Sequence, residues 1–171
     1  MKRFTLRTFA AIAGLAAAIA GCAEGSSAPT VPAAGLTVLS RTSAPAGIHA
    51  SRSGGSTVSA VIGPEGGTLV LGANRVDFPA GALDEPTMIT MRVNPVFAAV
   101  EMQPHGIRFP EGHEPVLTLD PGAQASRFQN LFIVYATGHG AVLEVLPTTR
   151  AADGTLTAQL HHFSIYAGAG S

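Results

Sequence analysis

From residue 58 onward, short apolar runs alternate with clusters of glycine, proline, asparagine and aspartate, and no helical stripe is long enough to compete with this pattern. In "TMITMRV", the apolar residues Ile89, Met91 and Val93 alternate with Thr90 and Arg92, as in a strand with one buried face. The other predicted strands are "VSAVI", "TLVL", "RVDF", "PVLTL", "LFIVYA", "AVLEVLP", "GTLTAQL" and a last one around "LHHFSIYAG". The loops are too short for the crossovers that parallel strands need. The sequence therefore predicts an all-β fold, an antiparallel β-sandwich of about eight or nine strands.

Composition narrows the class of protein further. Hydrophobic residues make up 46% of the chain and charged residues 12%, which is unlike a charge-rich disordered chain. Lys2, Arg3 and Arg7 lie within the first seven residues, and the remainder has seven arginines against 11 acids. A mildly acidic body lacks the cationic surface that binds phosphate backbones, so nucleic acid is not predicted as a partner.

The first 21 residues have the pattern of a signal peptide, with a basic start and an apolar run from Phe9 to Ala20. That run is short for a transmembrane helix. The residues Ile19-Ala20-Gly21-Cys22 resemble the lipobox of bacterial lipoproteins. Cys22 is the only cysteine in the chain, so no internal disulfide is possible, and lipidation would consume a thiol that is otherwise a liability in an exported protein.

The resemblance to bacterial lipoproteins implies cleavage before Cys22 and acylation of this residue with three chains, which gives stable membrane anchoring. Ala23 follows Cys22 where an inner-membrane retention signal would place aspartate. The implied location is the bacterial cell envelope, at the outer membrane if the host is diderm. A plain signal peptide with an incidental cysteine is the alternative interpretation.

Residues 22–57 are rich in alanine, serine, glycine, threonine and proline, which is the composition of a disordered, flexible linker. Within it, "GLTVLS" is a short apolar segment that could pack somewhere, but its pattern does not predict a strand. The predicted organisation is a lipoprotein signal peptide in residues 1–21, a lipidated linker in residues 22–57 and a β-sandwich domain in residues 58–168.

Three blocks of sequence within the predicted domain are similar to the ZU-five domain, which is named after zonula occludens proteins and Unc-type netrin receptors and also occurs in ankyrins. The blocks are "GPEGGTLVLGANRVDFPAGAL", "QPHGIRFPEGHEPVLTL" and the closing His162-Phe163-Ser164. They follow the family's order and span Val58 to Tyr166. Family members bind spectrin in ankyrins and pack against neighbouring domains in netrin receptors, so the resemblance implies a fold without implying one function.

Some relatives of this family cleave themselves at His-Phe-Ser. The resemblance would make Ser164 the nucleophile, His162 the base and Phe163 the donor of the carbonyl that is attacked. Leu160 and Phe163 have opposite parity in a strand, which predicts a β-bulge near His162 and hence local strain. A structural interpretation competes with this one, since Phe163 can belong to the core and many such triplets lack oxyanion donors.

Other residue types that carry chemistry form no recognised pattern. His105, Glu111, His113 and Glu114 lie within ten residues of one another, but their spacing fits no known set of metal ligands. His161 and His162 point to opposite faces of a strand, so they are not expected to share an ion. A phosphate-binding loop and a GxSxG motif are absent. The sequence therefore predicts neither a metal nor a cofactor.

The function predicted from these observations is that of an exported, lipid-anchored envelope protein, not an enzyme, whose β-sandwich has an interaction or structural role with a protein or envelope polymer. Two alternatives remain open. One is a self-processing domain that cleaves itself between Phe163 and Ser164. The other is a glycan-binding or peptide-binding module, with the glycan disfavoured because the body lacks tryptophan and contains only Tyr135 and Tyr166.

Overall fold

The structure, a computed structural model, describes residues 35–41 and 56–171. Cys22, the predicted signal peptide and most of the predicted linker lie outside the described residues. In the described part of the chain, no helix has the length and apolar character needed to cross a bilayer. The strands are β1 (Thr37–Val38), β2 (Thr57–Ile62), β3 (Gly67–Leu71), β4 (Asn74–Phe78), β5 (Thr87–Val93), β6 (Ala99–Gln103), β7 (Val116–Leu119), β8 (Leu131–Ala136), β9 (Val142–Val145), β10 (Thr149–Arg150), β11 (Leu156–Gln159) and β12 (Ile165–Gly170). A short 3₁₀ helix, Ala123–Arg127, precedes β8.

Two antiparallel sheets pack against each other. The seven-stranded sheet has the order β2-β5-β6-β12-β8-β9, with β1 pairing with β12, and the five-stranded sheet has the order β10-β11-β7-β4-β3. The prediction of an all-β antiparallel sandwich is therefore confirmed. All eight predicted runs and the last strand are strands in the structure, while β1, β6 and β10 are not predicted.

The hairpin of β3 and β4 shows how local chemistry fixes the register. Leu71 pairs with Asn74, so only Gly72 and Ala73 lie in the turn. Gly72 has a φ of 64°, which a side chain would disfavour, and glycine at this first position is typical of two-residue hairpin turns. The register that follows places Leu69 opposite Val76, and both side chains are buried between the sheets.

The main core lies between the two sheets and consists of alternate residues of their strands. Ile89, Met91 and Val93 of β5 are buried as predicted, while Arg92 between them is exposed. On the outer face of the seven-stranded sheet, a second and smaller apolar cluster forms around Ala99, Val134, Ala136, Ala167 and Ala169. The middle of the large sheet is therefore apolar on both faces, which suits a strand such as β12 that has neighbours on both sides.

The segment "GLTVLS" corrects the interpretation of residues 22–57 as linker throughout. Thr37 and Val38 form strand β1, which pairs with Gly170 and Ala169 of β12, and the next residue, Leu39, is fully buried in the main core. Two apolar residues at alternate positions are too few to give a strand signal by themselves. The segment becomes a strand because β12 provides its hydrogen-bonding partners. The local sequence does not show that β12 lies beside it.

Candidate functional site

The triplet His162-Phe163-Ser164 lies where the chain crosses from the five-stranded sheet to the seven-stranded sheet. It follows β11, which belongs to the small sheet, and precedes β12, which belongs to the large one. Leu160 and Phe163 therefore have opposite parity because the chain passes from one sheet to the other between them. The structure has a corner at this point, and the prediction of a β-bulge within one strand is wrong. Both of these side chains are buried in the main core, as the parity argument required.

Phe163 is the centre of an aromatic cluster built from all three family-like blocks. Its ring meets the ring of Phe109 edge to face, with centroids 4.9 Å apart, and the ring of Phe78 at 5.9 Å. Phe78 and Phe109 complete the triangle at 6.5 Å. All three side chains are buried. Edge-to-face pairs of this kind add to the free energy gained from burial itself.

Backbone hydrogen bonds fix the peptide bond between Phe163 and Ser164 from both sides. The Phe163 N–H donates to the carbonyl of Ile107 at 2.9 Å, and the Phe163 carbonyl accepts from the N–H of Gly106 at 3.3 Å. The Ser164 carbonyl accepts from the N–H of Met102 at 2.9 Å. The corner is therefore held by the "PHGI" loop on one side and by β6 on the other.

The imidazole of His162 lies against two tyrosines. Its ring centroid is 5.1 Å from that of Tyr135 and 6.0 Å from that of Tyr166. The Tyr166 hydroxyl donates to the backbone carbonyl of His162 and lies 3.3 Å from Nδ1 of the same residue. Burial raises the pKa of Tyr166 well above its ordinary value, and Glu144 adds to the rise, so the phenol remains a proton donor at physiological pH.

The described part of the chain contains no hydrogen bond between Ser164 and His162. A serine nucleophile needs a base within hydrogen-bonding reach, and Nδ1 of His162 lies beside the Tyr166 hydroxyl instead. The carbonyl of Phe163 has one N–H donor, from Gly106, in the position where an oxyanion would need stabilisation. The corner thus has one element of a self-cleavage site without the paired nucleophile and base.

The histidines and glutamates of "HGIRFPEGHE" diverge in the structure. Nε2 of His105 lies 3.4 Å from Oε1 of Glu101, whereas His113 donates through Nδ1–H to the carbonyl oxygen of Ala80 at 2.7 Å. The Glu114 carboxylate accepts from the N–H of Gly112 at 2.8 Å, and its Oε1 lies 3.8 Å from Nδ1 of His161. Within residues 35–41 and 56–171, no three potential ligands are close enough to hold a metal ion.

The contact between His113 and Ala80 joins the second family-like block to the first. It explains the glycine in "FPAGAL", since a side chain at Gly81 would lie 2.9 Å from the His113 ring and Gly81 has a φ of 82°. The residues that carry the family resemblance therefore meet through packing and backbone contacts at one end of the sandwich.

A groove crosses the outer face of the five-stranded sheet. It consists of two depressions of about 360 and 500 Å³ that share the residues Val116 and Gln159. Thr149, Thr157 and His161 line the smaller depression. Thr68, Asp77 and Glu114 line the larger one. Sequence reasoning did not identify this groove, because its residues come from distant strands whose order in the sheet is not encoded locally.

Sequence reasoning also missed the partners of the triplet. The sequence suggests a role for Tyr135 and Tyr166, which contact the His162 ring, only as sugar platforms, and it suggests none for Gly106. The spacing of Tyr166 four residues after His162 was the one available signal. A scan against protein-family models finds no match for this chain, and a search of curated proteins finds no significant match.

Proposed function

We propose that this chain is an exported bacterial lipoprotein whose ZU-five-like β-sandwich acts as an interaction domain at the cell envelope. The observation that carries the proposal is the position of the single cysteine, directly after Ile19-Ala20-Gly21 and at the end of an apolar run. A lipid-modified Cys22 would hold the protein at a membrane, and the outer membrane is the proposed location in a diderm host. The convergence of the three blocks at one aromatic cluster supports the family likeness.

The position of β1 supports a domain held close to its anchor. About 13 residues separate Cys22 from Gly35, where the described structure begins, and Leu39 is already buried in the main core. A fully extended chain of that length spans at most about 45 Å. A partner in the same membrane, or in the polymer layer next to it, is therefore within reach of the sandwich.

The groove on the five-stranded sheet is the proposed binding surface of the domain. Its lining of threonine, glutamine and carboxylate side chains offers donors and acceptors to an extended polar chain. An extended peptide suits it better than a glycan, because Tyr135 and Tyr166 lie outside the groove and the Phe78 ring, which lines it, is buried in the main core and presents no flat face to a sugar. The proposed ligand is thus a segment of an envelope protein.

Self-processing between Phe163 and Ser164 is the second candidate. It is favoured by the Gly106 N–H that points at the Phe163 carbonyl and disfavoured by the separation of His162 from the Ser164 hydroxyl. Cleavage there would separate β12, at the centre of the large sheet, from the strands that precede it in the chain. Since β12 pairs with β6 on one side and with β8 on the other, the cut strand would remain hydrogen-bonded within the sheet.

Metabolic labelling with palmitate tests the anchor. The wild-type chain should incorporate label and sediment with membranes, whereas Cys22→Ser should lose both properties, because no other thiol is available. Ser26→Ala, a change of similar size four residues away, should behave as wild type. Membrane retention of an unlabelled Cys22→Ser chain would overturn the lipoprotein proposal.

Crosslinking from the groove tests the interaction role. A photoreactive residue at Gln159 should capture an envelope protein, and the same residue at Arg92, on the outer face of the other sheet, should not. Capture of glycan with no peptide at position 159 would identify the other ligand class. Equal capture from both positions would contradict the groove as the binding surface.

A further inference from the structure

The segment around β1 occupies a slot between residues 96–98 and the end of β12. The Leu39 N–H donates to the Gly168 carbonyl at 2.8 Å, and the Leu39 carbonyl accepts from the Ala98 N–H at 2.8 Å. The N–H of Arg41 donates to the Val96 carbonyl at 2.7 Å. The slot thus offers backbone partners on both sides of an inserted strand.

The two faces of the slot accept different side chains. Leu39 points into the main core and is fully buried beside Gly168, where an added Cβ would lie 3.3 Å from the leucine. Val38 and Leu36 pack on the opposite face against the small alanine-rich cluster. The slot therefore selects an extended strand with one large apolar side chain on the inner face and smaller apolar contacts on the outer face.

In the described part of the chain, the contacts that hold this strand join residues 36–41 to the slot. The contacts are backbone hydrogen bonds, the buried Leu39, and the Arg41 guanidinium, whose Nε donates to the Phe97 carbonyl at 3.1 Å. None of these contacts depends on the path that the chain takes from Arg41 to β2. Residues 42–55 make that connection, and their extended length of about 50 Å does not restrict the strand to the nearest slot.

We propose that this slot is an exchangeable strand-binding site, and that it accepts residues 36–41 of a second copy of the chain. The exchanged strand makes the same contacts in either arrangement, so the choice between them depends on concentration. In dilute solution the strand of the same chain has the higher effective concentration and fills the slot. When copies are gathered on one surface, the strands of neighbouring copies reach a comparable effective concentration, and the copies exchange strands. The proposal does not depend on the lipid anchor.

Engineered cysteines test the exchange without changing any side chain of the main core. Ser40 and Phe97 are bridge partners, and such pairs have the Cα separation that a disulfide needs. Two full-length chains, both carrying Cys22→Ser, are mixed and oxidised, one with Ser40→Cys and the other, of larger mass, with Phe97→Cys. Heterodimers should exceed both homodimers and increase with protein concentration. Adding Leu39→Asp to the Ser40→Cys chain should reduce them at least fivefold.

A single chain that carries both cysteines is the geometric control, and it should close its own disulfide in dilute solution. The proposal would be overturned if heterodimers were no more abundant than the homodimers that form by random collision, at a protein concentration at which the control chain forms its own disulfide. Heterodimers that are insensitive to Leu39→Asp would overturn it as well, because they would arise from collision.

A peptide provides a second measurement. The full chain with Leu39→Asp retains its slot but has a disabled strand of its own. A fluorescent peptide with the sequence of residues 35–41 should bind this variant at least tenfold more tightly than it binds the wild-type chain, and the peptide with aspartate in place of Leu39 should bind neither. Equal binding of the two peptides would reject the slot as the binding site.

Discussion

The rings of Phe109 and Phe163 meet edge to face, with their centroids 4.9 Å apart, and so join two segments that are more than fifty residues apart in the chain. Phe78 closes the cluster from a third segment. Each ring comes from a different family-like block. The three blocks that suggest a family are therefore also the three parts of one packing unit, and the phenylalanine of His162-Phe163-Ser164 has a structural role that needs no cleavage.

Phe163→Ala should destabilise the domain by about 3–5 kcal/mol, because it removes a fully buried ring and leaves a cavity between Phe78 and Phe109. Urea unfolding followed by circular dichroism measures the change. Phe132→Ala is the matched control, since Phe132 is only partly buried in the small outer cluster, and it should cost clearly less. Equal losses for the two variants would show that the aromatic cluster is not the stabilising unit.

Ser164→Ala should leave the chain uncleaved, like the wild type, and its stability unchanged. The Ser164 hydroxyl has no hydrogen-bonding partner in the described part of the chain, and the bonds of its backbone are kept in alanine. Mass spectrometry under denaturing conditions should give one intact species for the wild type and for the variant. A wild-type fragment that begins at Ser164, absent from the variant, would establish self-processing instead.

Tyr166→Phe should destabilise the domain by about 1–3 kcal/mol, because the carbonyl of His162 would lose its phenol donor in a largely buried position. Tyr135→Phe is the control. The Tyr135 hydroxyl makes no hydrogen bond in the described structure, although its ring also contacts His162. Thermal unfolding should therefore separate the two variants, and similar midpoints would contradict a role for the Tyr166 hydroxyl.

Nine strands of the sandwich could be predicted because each of these nine carries its own signal. In β5, alternation places Ile89 and Met91 on the buried face, and in the first hairpin Gly72 marks the turn. Strand β6 is not predicted, since "AVEMQ" shows two adjacent buried residues, Ala99 and Val100, in place of alternation. These two contact different clusters on opposite faces of a central strand.

The candidate site was harder to predict than the fold, because its partners come from elsewhere in the chain. The sequence identified His162 and Ser164 as neighbours of Phe163, which chain connectivity guarantees. The four-residue spacing between His162 and Tyr166 was its one indication that Tyr166 would lie beside Nδ1 of His162, and nothing indicated that Gly106 would donate to Phe163. The order of strands in a sheet decides such contacts, and that order depends on long-range packing.

The stability of the outer face of the large sheet should depend on pH through Glu101. Burial raises the pKa of this carboxyl, but hydrogen bonds from Arg92 and Gln103 outweigh it and hold the pKa below the ordinary value of 4.5. A lowered folded-state pKa stabilises the domain above pH 4.5, and this contribution disappears as the pH falls through the folded-state value. Acid should therefore weaken the wild-type domain.

Arg92→Gln removes one of these donors, so the pKa of Glu101 should rise towards 4.5, as an NMR titration of its carboxyl carbon would show. The difference in stability between wild type and variant should be largest near pH 7 and should shrink near pH 3. Arg75→Gln, on the other sheet, is the control and should leave the titration of Glu101 unchanged. A constant difference across this pH range would contradict the assigned partners.

Leu39→Ala should destabilise the domain by about 2–5 kcal/mol, as expected for a leucine that is fully buried in a core. Thr37→Ala, two residues earlier in the same segment, is the matched control because the Thr37 side chain is exposed, and its cost should stay within about 0.5 kcal/mol. Urea unfolding of the full chain measures both. If residues 35–41 served only as linker, the two substitutions would be equally harmless. A large loss at Leu39 alone means instead that the folded domain begins before residue 58, with a strand donated by the segment that leads to the proposed anchor.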